Sequence, residues 1–598
     1  MQKNPKLKSP DKLTKISHRI KLHEAIRGIG VEEHKYEPLD LSIFPHIDII
    51  KEEKKEKKAK YSPKQTEFTL EKVYLQRPSL DSSKLLVYLY VDYGFLKPNR
   101  LRYFVERKED HYEMLADVKI IILNENLEII TQIPMLHSSN FKGHPVAEIP
   151  ELFVGFIEGL NNESRYYYTI ECYRKNDNKV FAKTKINPIN IATQDEKRPQ
   201  FILAISDLHG GHSAWFKRGK AWCLFPHKNR KLNKITNKIV ENEDLLTFGE
   251  GYKLICASGD LVDNGSYHEY WADLFECTAP LVSRTPFISA IGNHDYYSGG
   301  FWRGSWLGGK NRTCKYFHAF LQTPREAGLE GHYFYLDVGN ARLFFIDSVG
   351  TNWGNIDFSC QSDEWSWLKN ELEKWRKQLH NENGKKFSMI FLHSAIFSAG
   401  FFGRVEHNSD YNAQCALTPL MRKYGVNIAL FGHDHIYQRS IWFDTNYICL
   451  GLSAGVAIGY NKHRLKKVKY TVSAIGKGKK VRGYLVIYIP PNLTKMSEKE
   501  KEEFKNWTSS IEEKLMKTPI QLFYKISQAE AKELEMNYDK KRTFIRDNII
   551  SKLSSHMWLR YYTIKNELYD QVFLAPNIEN YDETGKIDYI LNCPEEHV

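Results

Sequence analysis

The chain has 598 residues, too many for one hydrophobic core, so about two to four domains are expected. Apolar residues make up 42%, aromatics 13% and charged residues 26%, a balance that excludes a largely disordered chain. Lys and Arg exceed Asp and Glu by 85 − 73 = 12, which favours anionic partners or substrates without naming one.

Residues 1–65 read as a basic N-terminal arm or linker, because the run "KEEKKEKKAK" at 51–60 has nothing to bury. No apolar stretch follows the first cations, and no uninterrupted apolar run reaches the roughly 18–20 residues of a membrane helix. A cytoplasmic chain without a transmembrane segment is the expectation. The nine cysteines are scattered and lack C-x-x-C spacing, so they read as reduced core residues, neither a disulfide framework nor a zinc ribbon.

Between 66 and 192 the pattern turns to short runs rich in Val, Ile, Tyr and Phe, such as "KLLVYLYVDYG" and "DVKIIILNENLEIITQIP". Turn residues separate them, which predicts an antiparallel β-sandwich. From 198 to 492 apolar strands alternate with longer helical segments, among them "SDEWSWLKNELEKWRKQL", the texture of an α/β domain. Residues 493–598 open on the charged helical stretch "MSEKEKEEFKNWTSSIEEKLMK" and read as an accessory, partly helical C-terminal region.

Chemistry concentrates in the α/β segment. Five apolar runs end in residues able to bind metal: "FILAISDLHGG", "YKLICASGDLVDNG", "TPFISAIGNHDYY", "KFSMIFLHSAIF" and "IALFGHDH". In an open α/β sheet the crevice lies beyond the carboxyl ends of strands, so five such ends can converge. That would gather Asp207, His209, Asp260, Asn293, His294, His393, His433 and His435. Singly, a His-x-His or a Gly-Asp is ordinary turn chemistry; five in order after five strands are not. Carboxylates mixed with imidazoles suit Mn, Fe or Zn better than Ca or Mg, which prefer oxygen shells.

These motifs resemble the calcineurin-like metallophosphoesterase signature: Asp-x-His, Gly-Asp, Gly-Asn-His-Asp/Glu, His and Gly-His-x-His. The resemblance implies an α/β fold, a metallophosphoesterase β-sandwich flanked by helices, and two transition-metal ions per chain. Asp207, His209 and His435 would bind one ion and Asn293, His393 and His433 the other, with Asp260 bridging. His294 would protonate or stabilise the leaving oxygen, and Asp295 would orient His294. Segments such as "YFYLDVGNARLFFIDS" and "MRKYGVNIALFGHDH" look like those of purple acid phosphatases, which place a sandwich domain ahead of the catalytic one. Here "LNNESRY" at 160–166 resembles the Leu-x-Pro-x-Thr-x-Tyr corner of fibronectin type III domains, with Asn162 and Ser164 replacing proline and threonine. Purple acid phosphatases carry Asp-x-Gly at the first motif and a tyrosine ligand three residues after the bridging aspartate. This chain has Asp-x-His and Asp263 instead, so the tyrosinate–iron chromophore should be missing and His209 should supply the lost ligand. His407 falls where that family has a substrate-contacting histidine.

The implied activity is hydrolysis of phosphomonoesters through a metal-bound hydroxide, on a phosphorylated substrate. The same motifs serve phosphodiesterases and nucleases. The cation-rich stretch 461–482 leans toward a polyanion such as nucleic acid, although no base-reading motif accompanies it. A metal-stabilised binding or scaffold protein is the reading from another class. His212 and the aromatic "FWRGSW" at 301–306 fit packing or surface roles.

Overall fold

A computed structural model describes residues 39–55, 58–91, 100–161, 164–211, 213–218, 221–225, 227–296, 314–329, 331–349, 363–380, 384–400, 408–455, 471–475 and 482–577. His212, "FWRGSW", His407 and most of the 461–482 stretch lie outside the described residues.

The N-terminal part is two packed sheets. Strands of alternating apolar residues form a six-stranded and a four-stranded sheet over residues 68–189. Leu75, Leu85 and Val87 of one sheet meet Ile120, Ile122 and Ile170 of the other in a shared core. Alternate side chains of a strand point to opposite faces, so the unbroken burial of Leu85–Tyr90 means that this strand is covered on both sides. The outer face of this sheet carries Tyr88 and, from the paired strand Val73–Gln76, Tyr74, whose ring stacks on Phe275 of the following domain with centroids 3.7 Å apart. In the 160–166 segment the Tyr166 hydroxyl accepts from the Asn161 amide at 3.4 Å and donates to Glu53 at 2.9 Å. From residue 39 onward the expected arm is therefore packed: Leu39 and Phe44 are buried, and the short helix Ile49–Glu53 is capped by Asp48.

Behind the sandwich, two further sheets face each other. One holds six strands in the order Phe287–Ser289, Leu254–Ala257, Gln200–Ile205, Gly483–Ile489, Met557–Thr563, Leu568–Leu574. The second has seven and is centred on the parallel strands Phe387–Phe391 and Ile428–Phe431. Alternation divides each strand between two cores. Ile202 and Ala204 point between the sheets, where Leu343, Met389 and Leu430 meet them. Phe201, Leu203 and Ile205 point outward to the helices His227–Leu246 and His268–Val282. On the far side Phe344 and Ile390 pack against Asp363–His380 and Asn408–Tyr424. The layers are thus helix, sheet, sheet, helix.

The C-terminal region corrects the expected boundary at 492. Its helices are present at Glu498–Met516, Gln528–Met536 and Tyr538–Asn548. Beyond them, Met557–Thr563 pairs antiparallel with Gly483–Ile489, and Leu568–Leu574 extends the same sheet. The hairpin also bridges the sheets, because Asp570 accepts from Arg439 Nε at 2.7 Å, from Arg439 Nη2 at 3.0 Å and from the Tyr437 hydroxyl at 2.8 Å. Residues 557–574 are part of the double sheet. Their strand pattern is hidden by Tyr-rich sequence broken by Arg560 and Asp570, and Arg560 Nη2 donates to the Leu246 carbonyl at 2.7 Å.

Candidate metal centre

The two sheets direct the ends of five strands to one place. Gln200–Ile205, Leu254–Ala257 and Phe287–Ser289 run parallel in the first sheet and lead to Asp207 with His209, Asp260, and Asn293 with His294. Phe387–Phe391 and Ile428–Phe431 run parallel in the second and lead to His393 and to His433 with His435. Each chain must turn at once to bring its side chain into the gap. Asp207, His209, Asp260 and His433 do so with φ of 51°, 47°, 52° and 67°, a left-handed conformation that is uncommon for residues with a Cβ and concentrates at functional sites. Glycines allow the close approach. A Cβ on Gly292 would lie 2.0 Å from the Asp260 amide nitrogen, and one on Gly432 would lie 2.2 Å from Asp207 Oδ2.

Two of the donor sets meet at Asp260, and a third joins His209, Asp263 and His294. Asp207, His209, Asp260 and His435 place one donor each within 4.8 Å of one another, and Asp260, His393 and His433 do the same. Asp260 belongs to both. In the first set His209 Nε2 and His435 Nε2 face each other at 3.0 Å, with Asp207 Oδ1 3.3 Å from His435 Nε2. In the second, Asn293 Oδ1 lies 2.9 Å from both His393 Nε2 and His433 Nδ1. His393 Nδ1 is 2.8 Å from the Ser258 carbonyl. A carbonyl only accepts, so Nδ1 carries the proton and Nε2 keeps its lone pair for the centre.

Electrostatics agree with a demand for cations. Asp207 and Asp260 are buried almost completely, and burying a charge is costly unless it is paired. Burial alone would raise both carboxyls. For Asp207 the hydrogen bond and charge of His435 outweigh it, and for Asp260 the charges of His393 and His294 do, so both are held below the usual range. His393 answers in the opposite sense. Its burial would lower it, yet the Asp260 charge raises it to about 9. His209 and His433 are pushed down by burial, to about 4 and about 3, and are neutral imidazoles near neutral pH. Two buried carboxylates, an amide oxygen and the neutral imidazoles of His209 and His433, with His393 giving up the proton that the Asp260 charge holds on it, form a donor set that fits transition-metal ions.

Two neighbours complete the site. His294 is held by its Nδ1, 2.8 Å from the Asp263 carbonyl, while its Nε2 lies 3.9 Å from Asp260 Oδ2. Asp295 does not orient this imidazole as expected. Its carboxylate instead accepts backbone N–H groups of Leu261 at 3.0 Å, Val262 at 3.3 Å and Gly292 at 2.9 Å. It therefore fastens the Gly-Asn-His turn to the Gly-Asp turn. Burial, followed by the Asp260 charge, raises its carboxyl to about 8. Asp263 matters more than the sequence indicated. Its carbonyl anchors His294 and its carboxylate lies 3.5 Å from His209 Nδ1. Its place three residues after Asp260 was the only signal.

Comparisons with known proteins bear on the same stretch of the chain. The family model described as Calcineurin-like phosphoesterase matches residues 202–437. Among curated proteins of Arabidopsis thaliana, the chain is 23% identical over 222 residues to "Probable inactive purple acid phosphatase 9", covering 33% of this chain and 31% of that protein. It is 20% identical over 192 residues to "Purple acid phosphatase 22", covering 32% and 39%. The match thus spans about a third of the length of each relative, 31% and 39%. A solved purple acid phosphatase, PPD1 from yellow lupin (Lupinus luteus) seeds, superimposes with a TM-score of 0.52 at 14% identity, covering 85% of this chain and 75% of that one. That likeness establishes the shared fold. It is residues 202–437 that are similar to the calcineurin-like phosphoesterase family.

Proposed function

We propose that the chain is a binuclear metal-dependent phosphoesterase acting on phosphomonoesters. The observation that carries this reading is the pair of donor sets joined at Asp260. Asp207, His209 and His435 would hold one ion, and Asn293, His393 and His433 the other, with Asp260 shared. Such ions supply Lewis-acid polarisation of a phosphoryl group and make water acidic enough to ionise near neutrality.

The chain's own residues do the rest. The Asp263 carbonyl fixes the Nδ1 proton of His294, so proton exchange takes place at Nε2, on the side of Asp260. As an imidazolium, His294 donates from Nε2 to the departing oxygen and leaves as a neutral ring. Asp295 keeps Asn293 and His294 in register with Asp260 by holding the two turns together.

One of the two curated relatives carries "probable inactive" in its name, which favours the binding or scaffold reading as the alternative. The full donor set and His294 in this chain support catalysis. Hydrolysis of p-nitrophenyl phosphate and bis-p-nitrophenyl phosphate, before and after chelation and with Mn, Fe or Zn restored, tests the proposal. Metal-restored turnover faster on the monoester is expected. Faster turnover on the diester would shift the substrate class, and no metal-dependent turnover on either would defeat the enzyme reading.

A further inference from the structure

A second group of metal-binding side chains lies outside the centre. Cys314 and His318 are four residues apart around the short helix Lys315–Phe320, the spacing that brings two side chains onto one helical face. Cys314 Sγ is 2.9 Å from His318 Nε2. From the next turn, His332 brings its ring to 5.3 Å from that of His318, centroid to centroid. The three donors lie within 4.8 Å of one another. Cys314 and His318 are 5% and 9% exposed. We propose that Cys314, His318 and His332 form a third metal site that takes a thiophilic ion, zinc being the best match.

The surroundings are arranged as for a ligand set. Asp347 Oδ2 lies 3.0 Å from His332 Nδ1, and the Tyr296 hydroxyl lies 3.3 Å from the same nitrogen. A carboxylate holding one imidazole nitrogen is the usual companion of a metal-bound histidine. Gly331, at φ +76°, lets the backbone pass against the His318 ring, where a Cβ would sit 2.1 Å from Cε1. Thiolate with imidazole excludes Ca and Mg and suits Zn. Two donors around tetrahedral zinc stand about 3.5 Å apart, so Cys314 and His318 need only spread slightly. On binding, the Cys314 S–H bond breaks, its electron pair forms the S–Zn bond and the proton passes to solvent.

Such an ion would brace the candidate centre from behind. Tyr296 directly follows the Gly-Asn-His-Asp motif, and its hydroxyl donates to Asp347. Loading the site would tie the 314–332 segment to the turn that carries Asn293 and His294. This third site does not depend on the phosphoesterase reading.

Titration of the full chain with Co(II) tests it, because only thiolate ligation gives an intense sulfur-to-cobalt charge-transfer band in the near ultraviolet. Among the described residues, the Asp207–Asp260 centre has no cysteine. One thiolate-bound Co(II) per chain, displaced by Zn(II), is expected. Cys314→Ser should abolish the band, and His332→Ala, at a half-buried position, should weaken Co(II) binding at least about tenfold. No band from the folded wild-type chain would overturn the proposal, leaving Cys314 and His318 as a hydrogen-bonded pair. A band that survives Cys314→Ser would overturn it as well. If Cys314→Ser does not fold, His332→Ala takes its place, and unchanged Co(II) affinity in that variant would overturn the site.

Discussion

The N-terminal sandwich and the double sheet use the same period-2 alternation, but they finish their strands differently. In the sandwich the non-glycine residues of positive φ, Leu127 and Asn178, sit in turns that serve the chain's own hydrogen bonding. The double sheet has such turns too, at Phe443, Asp444 and Asn566, but there Asp207, His209, Asp260 and His433 also adopt this conformation and crowd charge into a buried gap. The sandwich spends its sequence on packing, whereas the strand ends of the double sheet carry strain and buried carboxylate charge that bound cations would relieve. Stability and chemistry should therefore separate by mutation.

The largest separation is expected at Asp260. Asp260→Asn removes the charge common to both donor sets, so turnover should fall by about a thousandfold or more while the sandwich stays folded. Retained turnover at normal metal content would contradict this separation. His294→Ala should lower kcat by about 10²–10⁴-fold with metal content unchanged. A KM effect alone would return His294 to a binding role.

Packing variants should behave in the opposite way. Asp570→Ala leaves Arg439 buried without its carboxylate and should cost about 3–5 kcal/mol, read by denaturant unfolding. Ile170→Ala in the sandwich core should cost about 2–5 kcal/mol and leave the metal content of the folded protein intact. The smallest effect belongs to the helix Glu498–Met516, whose Ser497–Glu500 capping box is complete. Ser497→Ala should cost about 1 kcal/mol. The Glu500 carboxyl is lowered from 4.5 to about 2, first by the Ser497 backbone hydrogen bond and then by its side chain and Lys197. A depressed folded-state value means that this contribution is present above pH 4.5 and is lost as pH falls toward 2. Because Glu500 is exposed, the effect on pH-dependent unfolding should be small and screened by salt.

What is legible in the sequence follows from how local each signal is. Asp207, Asp260, Asn293, His393 and His433 follow apolar runs directly, so strand direction alone is enough to gather them. The role of Asp295 is not legible, because its partners are the amides of Leu261, Val262 and Gly292, and a backbone partner leaves no mark in side-chain spacing. The C-terminal hairpin is hidden because Arg560 and Asp570, both buried in its strands, interrupt the apolar pattern that identifies a strand. Cys314 and His318 show helical spacing, but His332 and Asp347 come from separate turns that only the fold unites.

The most direct test of the shared centre is elemental analysis of wild type and Asp260→Asn from parallel preparations, with p-nitrophenyl phosphate turnover on the same samples. Relative to wild type, Asp260→Asn should lack about two transition-metal ions per chain and lose turnover with them. Equal metal content in the two proteins, or a deficit without any change in turnover, would contradict a centre bridged by Asp260.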